Sequence, residues 1–393
     1  MLTSVKSWES ILDAARTLRR RLHANPELGW EEHETAAIIR VELDALGIAW
    51  RAVADTGTLA TLAPEAKGTH IALRGDIDGL PIHEQTGLDY ASNTEGRMHA
   101  CGHDGHTATL LATAAWLKQC ESTLSGPVTL LFQPAEEGGH GASALIRQGA
   151  LEGIDMIYGW HNWPGIPFGK LVCPDGPVMC GNGTFKIRVK GRGGHASQPE
   201  LCADPVLAAS AITVNLQQVV SRRLAPQKPA VLSVTSIEAK SAPTIMPDTA
   251  LLGGSIRVPD AATRAVLNQA IDEVATETAR AYGTACEVAH FPRYEATINH
   301  AGPAARLREC WAADHGAEGI DTSFSLPAMA SEDFSDYLRK VPGAFALIGA
   351  GDSSGHGHNL HSAHYDFNDR LIEPVVQLFS RLVGIPPPDN NHQ

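Results

Sequence analysis

The sequence lacks the features that mark several large classes of protein. Its 393 residues include 31 Lys and Arg against 44 Asp and Glu, a formal net charge of −13 at pH 7. Nucleic acids are bound by basic faces, so a nucleic-acid partner is not expected. No apolar run reaches the length of a membrane span, and the start MLTSVKSWES has no signal-peptide core. These absences predict a cytoplasmic protein with a small-molecule ligand.

Cysteine is scarce and irregularly spaced. The chain has seven cysteines, an odd number, and none of them forms a C-x-x-C pair. A disulfide framework or a zinc ribbon is therefore not expected. Most of these cysteines, including Cys120 in a predicted helix, are expected to be small buried apolar residues. Cys101 differs because its neighbours are chemically reactive.

Hydrophobic periodicity predicts a large α/β domain. The segments 8–22 and 31–48 have the apolar spacing of helices. Short apolar strands then alternate with helical segments as far as DMIYGWH, and the same style resumes at AFALIGAG and in the last helix, 369–384. Alternation of this kind predicts a largely parallel sheet with helices against it.

The middle of the chain has a different order of elements. From TFKIRVKG to ACEVAHF the pattern is β-α-β-β-α-β, which is typical of a split βαβ, ferredoxin-like α+β unit. A chain of 393 residues is also long for a single core. We therefore expect a large domain of residues 1–182 and 293–393, interrupted by an inserted ferredoxin-like domain of residues 183–292.

Groups that bind metals cluster at a few points along the predicted large domain. The stretch HACGHDGH places Cys101 and His103 just before an apolar helix predicted over Thr107–Cys120. QPAEEGG follows the strand VTLLF, and GWHNWP follows the strand DMIY and offers His161. The carboxyl ends of parallel strands meet at one edge of a sheet, where ligands bind. Late in the chain, LHSAHYDFND adds His361 and its neighbours.

Thiolate, imidazole and carboxylate groups together suit zinc, manganese or another first-row divalent ion. The adjacent Glu136 and Glu137 allow a division of labour between them. One carboxylate can bind a metal while the other acts as general base on a water whose pKa the metal lowers. The pattern therefore indicates hydrolytic chemistry.

Other readings explain less of the sequence. Isolated histidines in turns are usually solvated or hydrogen-bonded, which is the expectation for His83, His140, His290 and His300. The chain has no P-loop, no complete G-x-G-x-x-G and no G-x-S-x-G. A cysteine hydrolase using Cys101 as nucleophile stays open, although it leaves the other metal-binding groups without a role.

The motifs together resemble one family. The chain is similar to the M20 metallopeptidase and aminoacylase family, in the amidohydrolase branch that includes hippurate hydrolases, N-acetyl-diaminopimelate deacetylases and plant auxin-conjugate hydrolases. The resemblance runs over nearly the whole length, and the segments that carry it are LRRRLHANPELGWEEHET, ALRGDIDGLPI, MHACGHDGHTA, LFQPAEEGGHGA, GWHNWP, KGRGGHASQP, IMPDTALLGGSIR, ASEDFSDYL and LHSAHYDFND.

The resemblance implies a catalytic domain with an inserted dimerisation or lid domain, and a site for two divalent metal ions, zinc or manganese. It assigns five positions as metal ligands, namely Cys101, His103, Glu137, His161 and His361. It assigns Glu136 as the general base. Asp76 and Asp78 would orient the ligands rather than bind metal themselves.

On the inserted domain the resemblance implies further substrate contacts. His195 would reach the scissile carbonyl, often from the partner subunit of a homodimer, and Arg257 would pair with the substrate carboxylate. Thr244 stands where relatives commonly carry Asn, and Glu200 where they often have His.

We expect Ser331 to cap a helix that begins with an acidic first turn.

The expected activity is hydrolysis of the amide bond of an N-acyl amino acid. A dipeptidase or aminopeptidase of the same family is the alternative, and the sequence does not separate the two. A metal-binding protein without catalysis is disfavoured, because the adjacent glutamates and all five ligand positions are intact.

Overall fold

The computed structural model describes residues 7–352 and 355–387. The chain divides into two compact units, here called unit 1 and unit 2. Unit 1 comprises residues 1–176, 298–324 and 336–393, and unit 2 comprises residues 177–297 and 325–335.

These boundaries lie a few residues outside the predicted ones, and unit 2 gains the segment 325–335. That segment joins unit 2 because Ala328 pairs with the strand ending at Met179. The N–H of Ala328 donates to Val178 at 2.8 Å, and the N–H of Cys180 donates to Ala328 at 2.9 Å. The role of unit 2 as a dimerisation or lid domain stays a prediction.

The helices and strands alternate as the periodicity predicts in unit 1. Within the described residues the α-helices are Trp8–His23, His33–Leu46, His103–Gln119, Gly141–Arg147, Pro205–Leu216, Gln218–Arg223, Ala261–Ala281, Ala301–His315, Ser335–Leu338 and Ile372–Leu382. Short 3₁₀ turns occupy Glu121–Thr123, Pro199–Leu201, Ala317–Gly319 and Asp369–Leu371. Two short strands, Gly176–Met179 and Thr297–Asn299, fall at the unit boundaries.

Unit 1 is built on a seven-stranded mixed sheet. In spatial order its strands are Trp50–Val53, Gly57–Leu62, Val128–Gln133, Ile71–Asp76, Met156–Pro167, Gly343–Gly351 and Leu171–Val172. The four middle strands run parallel, and the strands outside them are antiparallel to their neighbours. The middle strands are buried almost throughout, which is why they read as continuous apolar runs. The predicted largely parallel α/β sheet is confirmed.

The helix His103–Gln119 lies at the centre of unit 1. It is buried along almost its whole length, so it shows little amphipathic pattern. The first helix, Trp8–His23, packs against it through an apolar stripe that includes Ile11 and Leu18. A reciprocal pair of hydrogen bonds between Ser7 and Ser10 caps that first helix.

Unit 2 carries a four-stranded antiparallel sheet. Its strands, in spatial order, are Val231–Glu238, Thr249–Val258, Gly181–Lys190 and Ala285–Pro292. In chain order the elements follow the predicted β-α-β-β-α-β sequence, and the helices cover an apolar core on one face. A separate two-stranded ladder joins Gly194–His195 to Ile245–Met246. Among the described residues of both units, no helix combines the length and the apolar character that a membrane span requires.

Candidate metal centre

A sharp turn places the first two predicted ligands. Gly102 separates Cys101 from His103 and starts the long buried helix with a left-handed φ of 95°. A Cβ at position 102 would lie 2.5 Å from Oδ1 of Asn162 and 2.7 Å from the hydroxyl of Tyr365. Only glycine fits this turn, because a side chain would disfavour the left-handed φ and would clash with Asn162 and Tyr365. The helix therefore begins at His103, earlier than the predicted Thr107.

A second loop presents the two glutamates. It follows the buried strand Val128–Gln133 and turns at Ala135, whose φ is 52°. The N–H of Glu137 donates to Oδ2 of Asp78 at 2.9 Å, which fixes the loop against the end of the neighbouring strand. Glu136 is 5 % exposed, so its carboxylate lies in a largely water-free environment.

His161 lies within a strand and not in the loop predicted after it. The strand Met156–Pro167 continues past this residue because its parallel pairing with Gly343–Gly351 continues, with His161 opposite Leu347. The strand therefore runs further than predicted, and the prediction that His161 follows its end is wrong.

The structure brings all five predicted ligands and the predicted base together in unit 1. Their donor atoms form overlapping groups, each with its members within 4.8 Å of one another. The groups are Cys101–His103–His161, Cys101–Glu137–His361 and His103–Glu136–Glu137. A further group joins Asp76 to His103 and His106.

Hydrogen bonds engage the same ring nitrogen, Nδ1, in the two buried imidazoles of His103 and His161. Nδ1 of His103 donates to the carbonyl of Asp78 at 2.9 Å and lies 3.1 Å from its Oδ1. Nδ1 of His161 donates to the carbonyl of Asn162 at 2.8 Å. In its neutral form each ring therefore presents the lone pair of Nε2, and Nε2 of His161 lies 3.3 Å from Sγ of Cys101.

These residues fit a divalent cation. Nε2 of His103 is buried and has no hydrogen-bond partner among the described residues, which is costly for a polar atom. A cation would satisfy it, and the thiol, imidazole and carboxylate donors around it match the preferences of zinc and manganese. His361 reaches the group from a left-handed backbone position, φ 65°, with Nε2 3.1 Å from Oε1 of Glu137.

The electrostatics of Cys101 argue against a cysteine nucleophile. Burial raises the pKa of this thiol well above its ordinary value, and the nearby charges of Glu137 and Glu136 raise the pKa further. Nucleophilic cysteines require a lowered pKa, because the thiolate is the reactive form. A bound cation reverses this effect by stabilising the thiolate.

The charges around His103 show how strongly acidic this pocket is. Burial lowers the pKa of the imidazole, but Asp76 and Asp78 more than offset it and raise the pKa to about 10. Burial raises the pKa of Glu137, whereas His361 and His103 bring it below its ordinary value. The negative groups therefore attract positive charge. In the metal-free protein that charge is the proton on the imidazole of His103.

His106 belongs to a separate hydrogen-bond chain. Its Nδ1 lies 2.5 Å from Oδ1 of Asp76, and its Nε2 lies 2.7 Å from Oδ1 of Asn162. The amide of Asn162 in turn donates to the hydroxyl of Tyr365 at 2.7 Å. With both ring nitrogens engaged, His106 has no lone pair for a metal. Asn162 and Tyr365 could not be predicted as members of this chain, because only their position next to ligand motifs marks them in the sequence.

A buried ion network holds the start of the central helix, and sequence reasoning missed it. Oδ2 of Asp104 lies 3.0 Å from Nε of Arg19 and 2.8 Å from Nδ1 of His23. Arg19 also reaches Oδ1 of Asp366 at 2.5 Å. Asp104 directly follows His103, so this network fixes the backbone that carries a predicted ligand.

The predicted contacts His195 and Thr244 lie together in unit 2. His195 pairs with Ile245 in the two-stranded ladder, and the N–H of Ala196 donates to the carbonyl of Thr244 at 3.0 Å. Nδ1 of His195 accepts from the N–H of Ser197 at 3.2 Å and lies 2.8 Å from its hydroxyl. In the neutral ring Nε2 therefore carries the proton and is available as a donor.

Arg257 lies on the strand Thr249–Val258, half-buried. Burial lowers the pKa of its guanidinium, and the charge of Arg293 lowers it further. No carboxylate in the described part of the chain forms an ion pair with Arg257, so the cation is available to an external anion. Glu200 lies exposed in a 3₁₀ turn of the same unit.

The prediction of an N-cap at Ser331 is wrong. The helix begins only at Ser335, and Glu332 and Asp333 are buried instead of forming an exposed acidic first turn. The carboxylate of Glu332 accepts the N–H of Phe334 at 3.0 Å, which keeps this stretch outside the helix.

Two aromatic rings lie beside the candidate centre in unit 1. The ring centroid of Trp163 is 6.2 Å from that of His161, and the ring of Phe324 packs edge-on against Trp163 at 6.3 Å. Both rings are half-buried. They give the surroundings of His161 an apolar wall.

Comparisons with known proteins agree with this geometry. The sequence profile of peptidase family M20/M25/M40 matches residues 72–384. An N-acetyl-L-cysteine deacetylase from Bacillus subtilis (strain 168) is 41% identical over 357 residues, which are 90% of this chain and 84% of that protein. IAA-amino acid hydrolase ILR1-like 5 from Arabidopsis thaliana is 36% identical over 386 residues, 96% of this chain and 88% of that protein.

A solved structure matches the fold as well. It is a Bacillus subtilis protein described as a dinuclear metal-binding peptidase from the M20 family. It superposes with a TM-score of 0.83 at 32% sequence identity, over 95% of this chain and 98% of that one.

Proposed function

The chain belongs to peptidase family M20/M25/M40, and we propose that this metal-dependent amidohydrolase cleaves the amide bond of N-acyl amino acids to a carboxylate and a free amino acid. One observation carries the proposal. The donor atoms of Glu136 lie within 4.8 Å of those of His103 and Glu137, so a buried carboxylate adjoins the candidate metal ligands. That arrangement suits a general base next to a bound water.

We propose Cys101, His103, Glu137, His161 and His361 as the ligands of two divalent ions. Bound there, such ions would polarise the scissile carbonyl and lower the pKa of the attacking water. Glu136 takes a proton from that water as the oxygen of the water bonds to the carbonyl carbon. It then passes the proton to the amine nitrogen as the C–N bond breaks.

Two residues of unit 2 complete the proposed chemistry. The proton on Nε2 of His195 suits donation to the oxygen that becomes negative in the transition state, since Ser197 occupies the other ring nitrogen. Arg257 suits a bidentate grip on the amino-acid carboxylate, because its guanidinium is half-buried. Thr244 would also contact the substrate, because the hydrogen bond from the N–H of Ala196 to its carbonyl holds it next to His195.

An apolar acyl group fits the surroundings of His161. Trp163 and Phe324 offer aromatic surface there, which an aromatic acyl group would bury by stacking. The names of the relatives span both small and large acyl groups, from a deacetylase to an IAA-amino acid hydrolase. We propose that aromatic acyl groups are turned over in preference to acetyl.

The test is a substrate panel on the manganese-loaded protein, comparing N-benzoyl and N-acetyl amino acids with dipeptides. Preference for the N-acyl compounds supports the proposal, whereas faster turnover of dipeptides favours the dipeptidase alternative. Glu136→Gln is expected to keep its metal content and lose about 10²- to 10⁴-fold in kcat. Glu152→Gln, an exposed carboxylate of unit 1, serves as the control and is expected to leave kcat unchanged. Full activity in Glu136→Gln would contradict the assignment of the base.

We propose a homodimer in which His195 serves the site of the partner subunit. Mixing two inactive variants, His195→Ala and Glu136→Gln, is expected to restore part of the activity, because a mixed dimer contains one intact site. Absence of any recovery in a mixture shown to exchange subunits would contradict a shared site.

A further inference from the structure

A buried carboxylate outside the candidate centre touches the loop that carries the proposed base. Glu32 is 0 % exposed, although it directly precedes the helix His33–Leu46. Its Oε1 accepts the backbone N–H of Ala135 at 2.8 Å, and its Oε2 accepts the hydroxyl of Thr56 at 2.8 Å. The first of these hydrogen bonds joins the N-terminal segment to the residue immediately before Glu136.

Ala135 needs such support. Its φ of 52° lies in the left-handed region that residues with a side chain disfavour. Tight packing surrounds it as well, because a Cβ on Gly29 would lie 3.1 Å from its Cα and a Cβ on Gly139 would lie 2.6 Å from its Cβ. The direction in which the chain leaves Ala135 determines where Glu136 and Glu137 point.

The same N-terminal segment also holds the loop after the strand Ile71–Asp76. The N–H of Gly79 donates to the carbonyl of Glu27 at 2.7 Å, and Leu28 pairs with Gly79. Gly79 directly follows Asp78, which contacts His103 and accepts the N–H of Glu137. The segment 27–32 therefore forms hydrogen bonds to both loops of the proposed site, the one after Asp76 and the one that carries Glu136.

We propose that Glu32 is a positioning residue for the reaction: by accepting the N–H of Ala135 it holds the left-handed turn that aims Glu136 and Glu137. This inference rests on the roles proposed above for those two glutamates. Glu32 lies beyond the proposed metal ligands and acts only through the backbone of the loop.

The protonation state of Glu32 decides which substitution is conservative. Burial raises the pKa of its carboxyl, and the charge of Asp78 raises it further, to about 7. In the neutral acid the carbonyl oxygen accepts from Ala135, while the O–H can donate to the hydroxyl of Thr56. The amide of glutamine reproduces both contacts, whereas leucine has a similar volume and offers no acceptor.

The experiment compares Glu32→Gln with Glu32→Leu in the full-length chain, by steady-state kinetics on an N-acyl amino acid and by calorimetric titration with Mn²⁺ alone. Glu32→Leu is expected to lower kcat about 10- to 100-fold and to weaken Mn²⁺ binding by a similar factor, the usual effect of losing a group that orients metal ligands. Its KM is expected to change little. Glu32→Gln is expected to retain most of both properties.

Two further variants separate positioning from general stability. Thr56→Val removes the hydrogen bond to the other oxygen of Glu32 and is expected to leave kcat and Mn²⁺ affinity unchanged. Adding Ala135→Gly to Glu32→Leu is expected to recover part of kcat, because glycine adopts the left-handed turn without strain. A loss caused only by weaker folding would not respond to that second change. If Glu32→Leu does not fold, Glu32→Ala replaces it, since alanine also offers no acceptor to the N–H of Ala135.

Wild-type kcat and Mn²⁺ affinity in folded Glu32→Leu or Glu32→Ala would overturn the inference. A deficit in Glu32→Leu that Ala135→Gly leaves unchanged and Thr56→Val reproduces would overturn it too. If the wild-type protein hydrolyses no N-acyl amino acid, the proposed function fails, and the Mn²⁺ titrations still decide whether Glu32 positions the loop.

Discussion

The buried carboxyl of Glu32 predicts a specific dependence of folding stability on pH. Its pKa rises from an ordinary value of 4.5 to about 7 in the fold, because burial and the charge of Asp78 disfavour the ionised form. A group whose pKa is raised on folding stabilises the fold below its unfolded pKa, and that contribution disappears as the pH rises through the folded pKa. The pKa difference corresponds to about 3 kcal/mol, lost mostly between pH 4.5 and pH 7.

Glu32→Gln isolates this effect, since glutamine keeps both hydrogen bonds and has no charge to bury. The free energy of unfolding of the metal-free wild-type and variant proteins is measured with urea between pH 4.5 and pH 8.5. The stability of wild type minus that of the variant is expected to fall by about 3 kcal/mol across this range, with a slope near 1.4 kcal/mol per pH unit in its middle. A difference that stays constant with pH would refute the reasoning, because it would mean that Glu32 ionises in the fold as readily as in the unfolded chain.

Three further predictions concern the centre itself. Asp78→Asn is expected to weaken Mn²⁺ binding about 10- to 100-fold in calorimetric titration, because the amide can accept from only one of the two donors that Asp78 serves; unchanged affinity would count against its orienting role. Gly102→Ala is expected to lower the free energy of unfolding in urea by more than about 1 kcal/mol, since its Cβ would lie 2.5 Å from Asn162 and its φ is 95°. The control Gly302→Ala, with open space around it, is expected to leave that free energy unchanged or to raise it. Chelation is expected to abolish hydrolysis and added Mn²⁺ to restore it, while alkylation-sensitive activity that survives chelation would revive the cysteine mechanism.

The parts of this protein that follow local rules could be predicted from the sequence. The buried strands of unit 1 read as apolar runs, and the helix of segment 8–22 shows its apolar stripe directly. The candidate ligands could be predicted because each lies in a motif of a known family. Part of their convergence follows from the parallel middle of the sheet, whose strands end at one edge.

What could not be predicted depends on contacts between distant segments. Asp104 pairs with Arg19 and with His23, and neither partner has a local pattern that marks it. Glu32 reaches Ala135 across a hundred residues of chain, and its burial could not be inferred from the charged stretch WEEHE. The extension of the strand through His161 likewise depends on the strand beside it and not on its own periodicity.

The most direct test of the central claim is anomalous diffraction from crystals of the manganese- or zinc-loaded protein. The account predicts two metal peaks bound by Sγ of Cys101, by imidazole Nε2 atoms of His103 and His161, and by the side chains of Glu137 and His361, with Glu136 close by and not coordinated. Metal peaks elsewhere, or crystals in which these side chains bind no metal, would contradict it.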